Sequence, residues 1–241
     1  MPIPVTSNLV QLLVPSSLSA FANGDLVDAW ADTSGAGNNL SSSGTNRPTK
    51  ITNGVQFVLN DFLAGTMVNA GTSGFTAIVC LSDPLVTGAS GGVLVVHDGT
   101  TDNNNKSHII YELSSTFTPF SNSSGSVAIS AIPAGEQFLI DRFSSGASAF
   151  GLYPFIVKVA SGTNITTGSA GIVYGSRHFS STSPTPSFYC RYKLHGAAIY
   201  NAALTDAQIV SVVEWFRQEL GLLSTGSTAK PQHPMSQQVI G

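Results

Sequence analysis

Charge is what this sequence has least of. Lys, Arg, Asp and Glu make up 10% of its 241 residues, against about 25% in an average globular chain. The polar surface must therefore be built from Ser, Thr, Asn and Gly, which suits a protein working outside the cytosol, in a secreted or particle setting. The net charge is −3 and no run of Lys or Arg occurs. That argues against a nucleic-acid partner, because neutralising phosphates takes clustered cations. Cysteine is nearly absent as well. Cys80 and Cys190 are too few for a disulfide framework. Both stand in apolar, strand-like runs, "FTAIVCL" and "SFYCRYKL", where buried free thiols are expected and a disulfide between them is the other reading. Neither has the Cys-x-x-Cys or His spacing of a metal site. No apolar stretch approaches the roughly 18 residues of a membrane span, so no membrane insertion is expected. The opening "MPIPVTSNLVQLLVPSSLSA" has no Lys or Arg, and prolines break its apolar run, so no signal peptide is read. A virus particle reconciles an extracellular-type surface with no export signal: the protein would be made in the host cytoplasm and released by lysis.

What the chain has in quantity is short β-branched and aromatic runs bounded by Gly, Ser, Asn and Pro. "GVQFVLN", "GGVLVVHDG", "SHIIYEL", "SVAISAI", "QFLIDRF", "YPFIVKVA" and "GIVYGS" are clear examples. Their spacing predicts an all-β sandwich or barrel rather than a βαβ array. One segment breaks the pattern, "NAALTDAQIVSVVEWFRQELGLL". Thr205 and Gln208 form the sequence of a capping box, and Asp206 suits the positive end of a helix. Ile209, Val212, Val213, Phe216 and Leu220 recur at helical spacing, and Gly221 fits the left-handed C-terminal position. These signals predict one amphipathic helix of about 14 residues. The segment that follows, 224–241, has a linker's composition.

The Trp30–Leu40 stretch, "WADTSGAGNNL", gathers Asp32, Ser34, Asn38 and Asn39 around two glycines. Such oxygen ligands could hold calcium or a sugar, or simply turn a corner between strands. "DAWADTSGAGNNL", "RPTKITNGVQFVLNDFLAG" and "LHGAAIYNAALTDAQIVSVVEWFRQELGL" occur in that order. Together they resemble the concanavalin A-like lectin/glucanase superfamily, in its laminin-G-like or pentraxin-like branch. The Tyr200-to-Asp206 stretch is the most specific part. The resemblance covers about Leu9 to Leu223, with the middle third matched by strand pattern alone. It implies a jelly-roll sandwich of two antiparallel sheets with one C-terminal helix, and it implies that the opening loop is a structural corner anchored by Trp30. No cofactor is expected. If a metal such as calcium binds at all, Asp32, Asn38 and Asn39 are its expected ligands. Domains of this kind are frequent in phage virions and bacterial surface proteins.

The glucanases of the superfamily carry a Glu-x-Asp-x-Glu strand, which places two carboxylates on one face. None of the four Glu residues here has a carboxylate two positions away. The glycines around Ser90 in "GASGG", residues 88–92, match the letters Gly-x-Ser-x-Gly but lack the strand-to-helix context of a nucleophile elbow and read as a hairpin loop, and His97, His108, His178, His195 and His233 are scattered. The expectation is therefore a non-enzymatic protein. Two loops are candidates for ligand contact. The first is "HDGTTDNNNKSH", with Asp98, Asp102, Asn103 and Asn104, whose amides and carboxylates suit sugar hydroxyls. The second is "YGSRHFSSTSPTPSFY", where Tyr174, Arg177 and His178 could stack on or bind a sugar. The expected function is a virion structural or adhesion protein of a bacteriophage, as capsid decoration or tail-fibre component. Other virion subunits, further copies of this chain and a host-surface glycan would be its partners. A secreted bacterial lectin or glycan-processing enzyme of the same fold is the alternative. Residues 1–8 and 224–241 are expected to be extensions ordered by neighbouring subunits, with Val239 and Ile240 as the tail's apolar anchor.

Overall fold

The computed structural model describes residues 1–42, 44–58, 60–67, 74–85, 91–97, 108–113, 116–120, 135–144, 147–159, 170–176 and 190–222. The strands are β1 (Leu9–Leu13), β2 (Ala29–Trp30), β3 (Leu40–Ser41), β4 (Thr49–Ile51), β5 (Gly54–Phe57), β6 (Leu63–Met67), β7 (Gly74–Leu85) and β8 (Gly91–His97). They continue with β9 (His108–Leu113), β10 (Thr116–Phe120), β11 (Gln137–Ser144), β12 (Ala147–Leu152), β13 (Phe155–Val159), β14 (Ala170–Tyr174) and β15 (Arg191–Tyr200), and end at helix α1 (Asp206–Glu219).

The strands form two antiparallel sheets. One runs β13-β12-β11-β7-β15-β5-β4, with β1 also paired to β15; the other runs β10-β9-β8-β14-β6-β3-β2. The expected all-β sandwich with one C-terminal helix is the observed fold. Alternation along each strand sorts its side chains to two faces. On β7, Ala77, Val79 and Leu81 join the core between the sheets, while Ile78 and Cys80 face the other way into a second core. Helix α1 covers that outer face. Its residues Ile209, Val212, Val213 and Phe216 and its C-cap Leu220 are all buried, as the stripe predicts, and Trp215 is buried beside them. The capping box forms as read: the Gln208 N–H donates to the Thr205 hydroxyl at 3.3 Å, and the Thr205 N–H donates to Gln208 Oε1 at 2.8 Å. Gly196 lets the helix sit close. A Cβ there would stand 2.8 Å from both the Leu13 carbonyl oxygen and a Phe216 ring carbon.

One expectation changes here and one alternative falls. Residues 1–8 do not wait for another chain. Ile3 is buried in the second core and Val5 packs against it. The Trp215 indole N–H donates to the Met1 carbonyl at 2.8 Å, and the Tyr200 hydroxyl donates to the Val5 carbonyl at 3.1 Å. The segment reads as a free extension because three apolar residues among prolines show no period; its partner surface lies some two hundred residues away. A Cys80–Cys190 disulfide is also ruled out. Neither thiol is in a disulfide, and they lie in different cores, Cys80 under the helix and Cys190 between the sheets. Residues 224–241, with Val239 and Ile240, and the "SVAISAI" run fall outside the described residues.

Candidate functional site

The Trp30–Leu40 loop is bound to β1 from end to end. The Trp30 ring is fully buried, and its N–H is shared between the Val14 carbonyl at 3.1 Å and Ser17 Oγ at 3.0 Å. Asp32 Oδ1 accepts from the Leu12 and Ser34 backbone N–H groups, both at 2.8 Å. Its Oδ2 accepts from the Ser34 hydroxyl at 2.8 Å and the Asn38 N–H at 2.9 Å. A carboxylate offers about four lone-pair positions, and all four are engaged within the protein. Asn39 Oδ1 accepts from the Asp32 N–H at 2.8 Å. Asn38 is buried, donating to the Val10 carbonyl and accepting from the Gln11 side chain at 2.7 Å. Gly35 and Gly37 take positive φ, as the tight loop requires. Asp32, Asn38 and Asn39 thus act together as the fastener of a corner. Among the described residues, no group of three His, Cys, Asp or Glu side chains is placed to hold a metal.

Tyr174 belongs to this same buried network rather than to a surface loop. It is fully buried, and its hydroxyl donates to Gln11 Oε1 at 2.9 Å. Burial also holds the phenol well above its ordinary pKa. Its ring has no free face for a sugar, which corrects the stacking role expected from its aromatic, Arg-rich neighbourhood. Strand alternation explains the error: "GIVY" ends β14 with Ile172 and Tyr174 both turned into the core. Asp98, Asp102, Asn103, Asn104, Arg177 and His178 lie outside the described residues. The strands that carry their loops are described. β8 and β14 pair antiparallel, with His97 opposite Gly171 and Leu94 opposite Tyr174. The segment after His97 and the segment after Tyr174 therefore leave from opposite ends of the sheet. Gly175 and Cys190 close the base of the second segment, the Cys190 N–H donating to the Gly175 carbonyl at 3.3 Å.

Next to that base lie two polar groups that sequence reasoning passed over. Asp61 is buried, its Oδ2 accepts from the Val58 N–H at 2.8 Å, and desolvation pushes its carboxyl up to about 6. Its backbone carbonyl packs so close to Gly175 that a Cβ there would come within 2.6 Å. The Ser176 hydroxyl is buried and has no hydrogen-bond partner among the described residues. An ionisable group desolvated beside a loop base is a common feature of functional sites.

A second cluster sits on the outer face of the helix-covered sheet. Ser82 Oγ and His195 Nε2 are 2.8 Å apart, and His195 Nδ1 lies 2.7 Å from the Asn53 carbonyl oxygen. A carbonyl can only accept, so Nδ1 carries the proton; in the neutral ring Nε2 then accepts, and the Ser82 hydroxyl donates to it. Desolvation lowers the His195 pKa, against a smaller opposing effect of the Asn53 carbonyl. Lys193 and Asp83 pair at 2.6 Å on the exposed rim. His195 was one of five scattered histidines in the sequence. Its partner is 113 residues away, and no local spacing could have joined them.

No family model and no curated protein sequence matches this chain. Solved structures do. A Trypanosoma rangeli sialidase matches at 14% identity and TM-score 0.61, over 90% of this chain and 34% of its own. A structure titled for the dependence of botulinum neurotoxin type C cell entry on two ganglioside molecules matches at 13% identity and TM-score 0.59, over 89% and 52%. The binding domain of botulinum neurotoxin DC, in complex with rat synaptotagmin II, matches at 12% identity and TM-score 0.59, also over 89% and 52%. The chain thus spans about a third of the sialidase chains and about half of the toxin chains. These likenesses define the class by fold alone: a two-sheet antiparallel β-sandwich. They also correct the expectation of a non-enzymatic protein. Chains that contain this fold include sialidases, so a missing glucanase carboxylate pair and a missing nucleophile elbow do not exclude catalysis here.

Proposed function

We propose that this chain is a lectin-like module that binds glycans, as part of a glycan-processing or glycan-recognising protein. One observation carries the reading. The sandwich is shared over nine-tenths of the chain with two separate groups of solved structures, one titled for sialic acid and one for gangliosides. A ganglioside is a sialic-acid-bearing glycolipid, so the two groups meet on one sugar. Arg177 supplies a cationic side chain, and His178 a ring N–H donor, for the carboxylate of such a sugar. Asp61, Ser176 and the Gly175–Cys190 contact give their segment a polar, fixed base. The Asp98–Asn104 segment is the second point of contact in this reading. Calorimetric titration with sialyllactose and with lactose tests it. Binding of sialyllactose that weakens at least tenfold in Arg177→Ala supports the proposal, whereas no heat from either sugar at millimolar concentration refutes it.

A second reading concerns setting. With charged residues at 10% of the chain, the module suits the surface of a phage particle, alongside other virion subunits. Mass spectrometry of purified particles would find the chain there at a fixed copy number; its confinement to the soluble lysate would refute the virion setting alone.

A further inference from the structure

The outer face of the helix-covered sheet carries a group of side chains that a glycan-binding module does not need. β7 and β15 are hydrogen-bonded neighbours, and their register breaks twice within a few residues. Between Leu194 and Gly196 the extra residue is on β15 and is His195; between Arg191 and Lys193 the extra residue is on β7, next to Asp83. Asp83 has a φ of 51°, a left-handed conformation that a non-glycine residue adopts at a cost. Bulges re-aim side chains and gather beside active sites. Here two of them, one on each strand, flank the pair Ser82 and Lys193, which lie directly opposite each other in the register. The first bulge turns His195 towards Ser82. Beyond His195, β15 exchanges one edge partner for another, pairing with β5 up to Leu194 and with β1 from Ala197.

We propose that Ser82 and His195 form a nucleophile–base pair that accepts a small acyl group, such as acetyl, from an ester. The parts required of such a pair are present. The hydroxyl points its proton at the base over 2.8 Å, and the base is held in the correct tautomer by the Asn53 carbonyl. Lys193 lies across from Ser82 with its ammonium paired to Asp83 at 2.6 Å, and would turn from that carboxylate to meet a tetrahedral oxyanion. The charged groups around His195 are Lys193, Asp83 and Glu136. Its depressed basicity keeps the ring neutral, and so competent as a base, at neutral pH. Ser82 and His195 are 4% and 5% exposed. That narrow access limits the acyl group to a small one, while the rim of Asp83, Lys193 and Glu136 is open to solvent.

The step balances as follows. Ser82 Oγ forms a bond to the ester carbonyl carbon as its proton passes to His195 Nε2. The ester C–O bond breaks, and the leaving alkoxide takes that proton and departs as the alcohol. Water then attacks the acyl-serine and its proton passes to Nε2. The Oγ–acyl bond breaks, Oγ regains the proton, and the free acid is released. The proposal stands apart from glycan binding, since it uses the opposite sheet and different residues.

The test uses methanesulfonyl fluoride, a serine-directed probe whose transferred group is about the size of acetyl, and p-nitrophenyl acetate on the full chain. The expected result is one probe adduct per chain, mapped by peptide mass spectrometry to the peptide containing Ser82. Acetate release should fall about 100-fold or more in Ser82→Ala and in His195→Gln, and should decline in the wild type below pH 6.5. Wild-type protein with no adduct, an adduct on another serine, or turnover unchanged in Ser82→Ala overturns the proposal. The adduct mapping needs no variant, so it decides the matter even if a substitution prevents folding.

Discussion

The corner formed by Asp32 can be tested by one atom's worth of change. Asp32→Asn keeps the shape of the side chain and replaces one carboxylate oxygen with an NH2 group. That group must face either the Leu12 and Ser34 backbone N–H groups, or the Asn38 N–H together with the Ser34 hydroxyl. The second arrangement is the less costly, because the Ser34 hydroxyl can rotate and accept while only the Asn38 N–H is left facing another donor. One charge-assisted hydrogen bond is lost, about 1.5–3 kcal/mol, and one donor goes unsatisfied, about 1–3 kcal/mol. Asp32 is only partly buried, so water recovers a share and the expected loss is about 2–4 kcal/mol. Urea denaturation measures it: with a slope of about 2.5 kcal/mol/M, the midpoint should fall by roughly 1 M. Melting curves in calcium and in chelator complete the experiment. A cation site filled at 100 times its dissociation constant would stabilise the fold by about 2.7 kcal/mol, whereas a corner already saturated by its own donors should show no difference. A midpoint unchanged in Asp32→Asn, or a melting temperature several degrees lower in chelator, would refute the reasoning.

Phe216→Ala removes a fully buried ring packed against Phe138, Trp215 and the backbone at Gly196, and should cost about 3–5 kcal/mol in chemical denaturation. Ile3→Ala should cost about 2–4 kcal/mol in the isolated chain, because residues 1–8 belong to the second core; a loss within experimental error would return them to the status of an extension. Asp61 keeps its proton longer in the folded state, with a pKa of about 6 against 3.8, so its favourable contribution is present below pH 3.8 and is lost as pH rises through 6. Asp61→Asn should therefore raise the thermal stability at pH 8, by between about 1 and 3 kcal/mol, and leave it nearly unchanged at pH 4. His195 behaves oppositely: its folded pKa is depressed, so its contribution is complete above about 6.5 and is lost as pH falls below that value. His195→Gln should flatten the acid side of the wild-type stability profile.

Local signals carried far in this chain, and only local ones. The helix was legible residue by residue, because a capping box and a 3.6-residue stripe are written within fourteen positions. Trp215 escaped the stripe because its indole is held from outside the helix, by the Met1 carbonyl. The sandwich was legible from short β-branched runs, but not its pairing: β1 docks on β15 across nearly the whole chain. For the same reason a proline-interrupted N-terminus read as a loose end. Tyr174 misled because an Arg and a His follow it directly in sequence, whereas its strand position turns it inward. Ser82 and His195 meet only through a bulge in β15, and a bulge leaves no mark in composition or period. The non-enzymatic expectation failed differently, by treating the absence of two known catalytic patterns as the absence of catalysis.

A glycan array tests the central claim most directly. The full chain, applied to an array that presents matched sialylated and desialylated glycans, should bind the sialylated members, lose that binding after sialidase treatment of the array, and lose it in Arg177→Ala while Ser82→Ala still binds. Signal on no glycan at all, or equal signal before and after removal of sialic acid, would contradict the account.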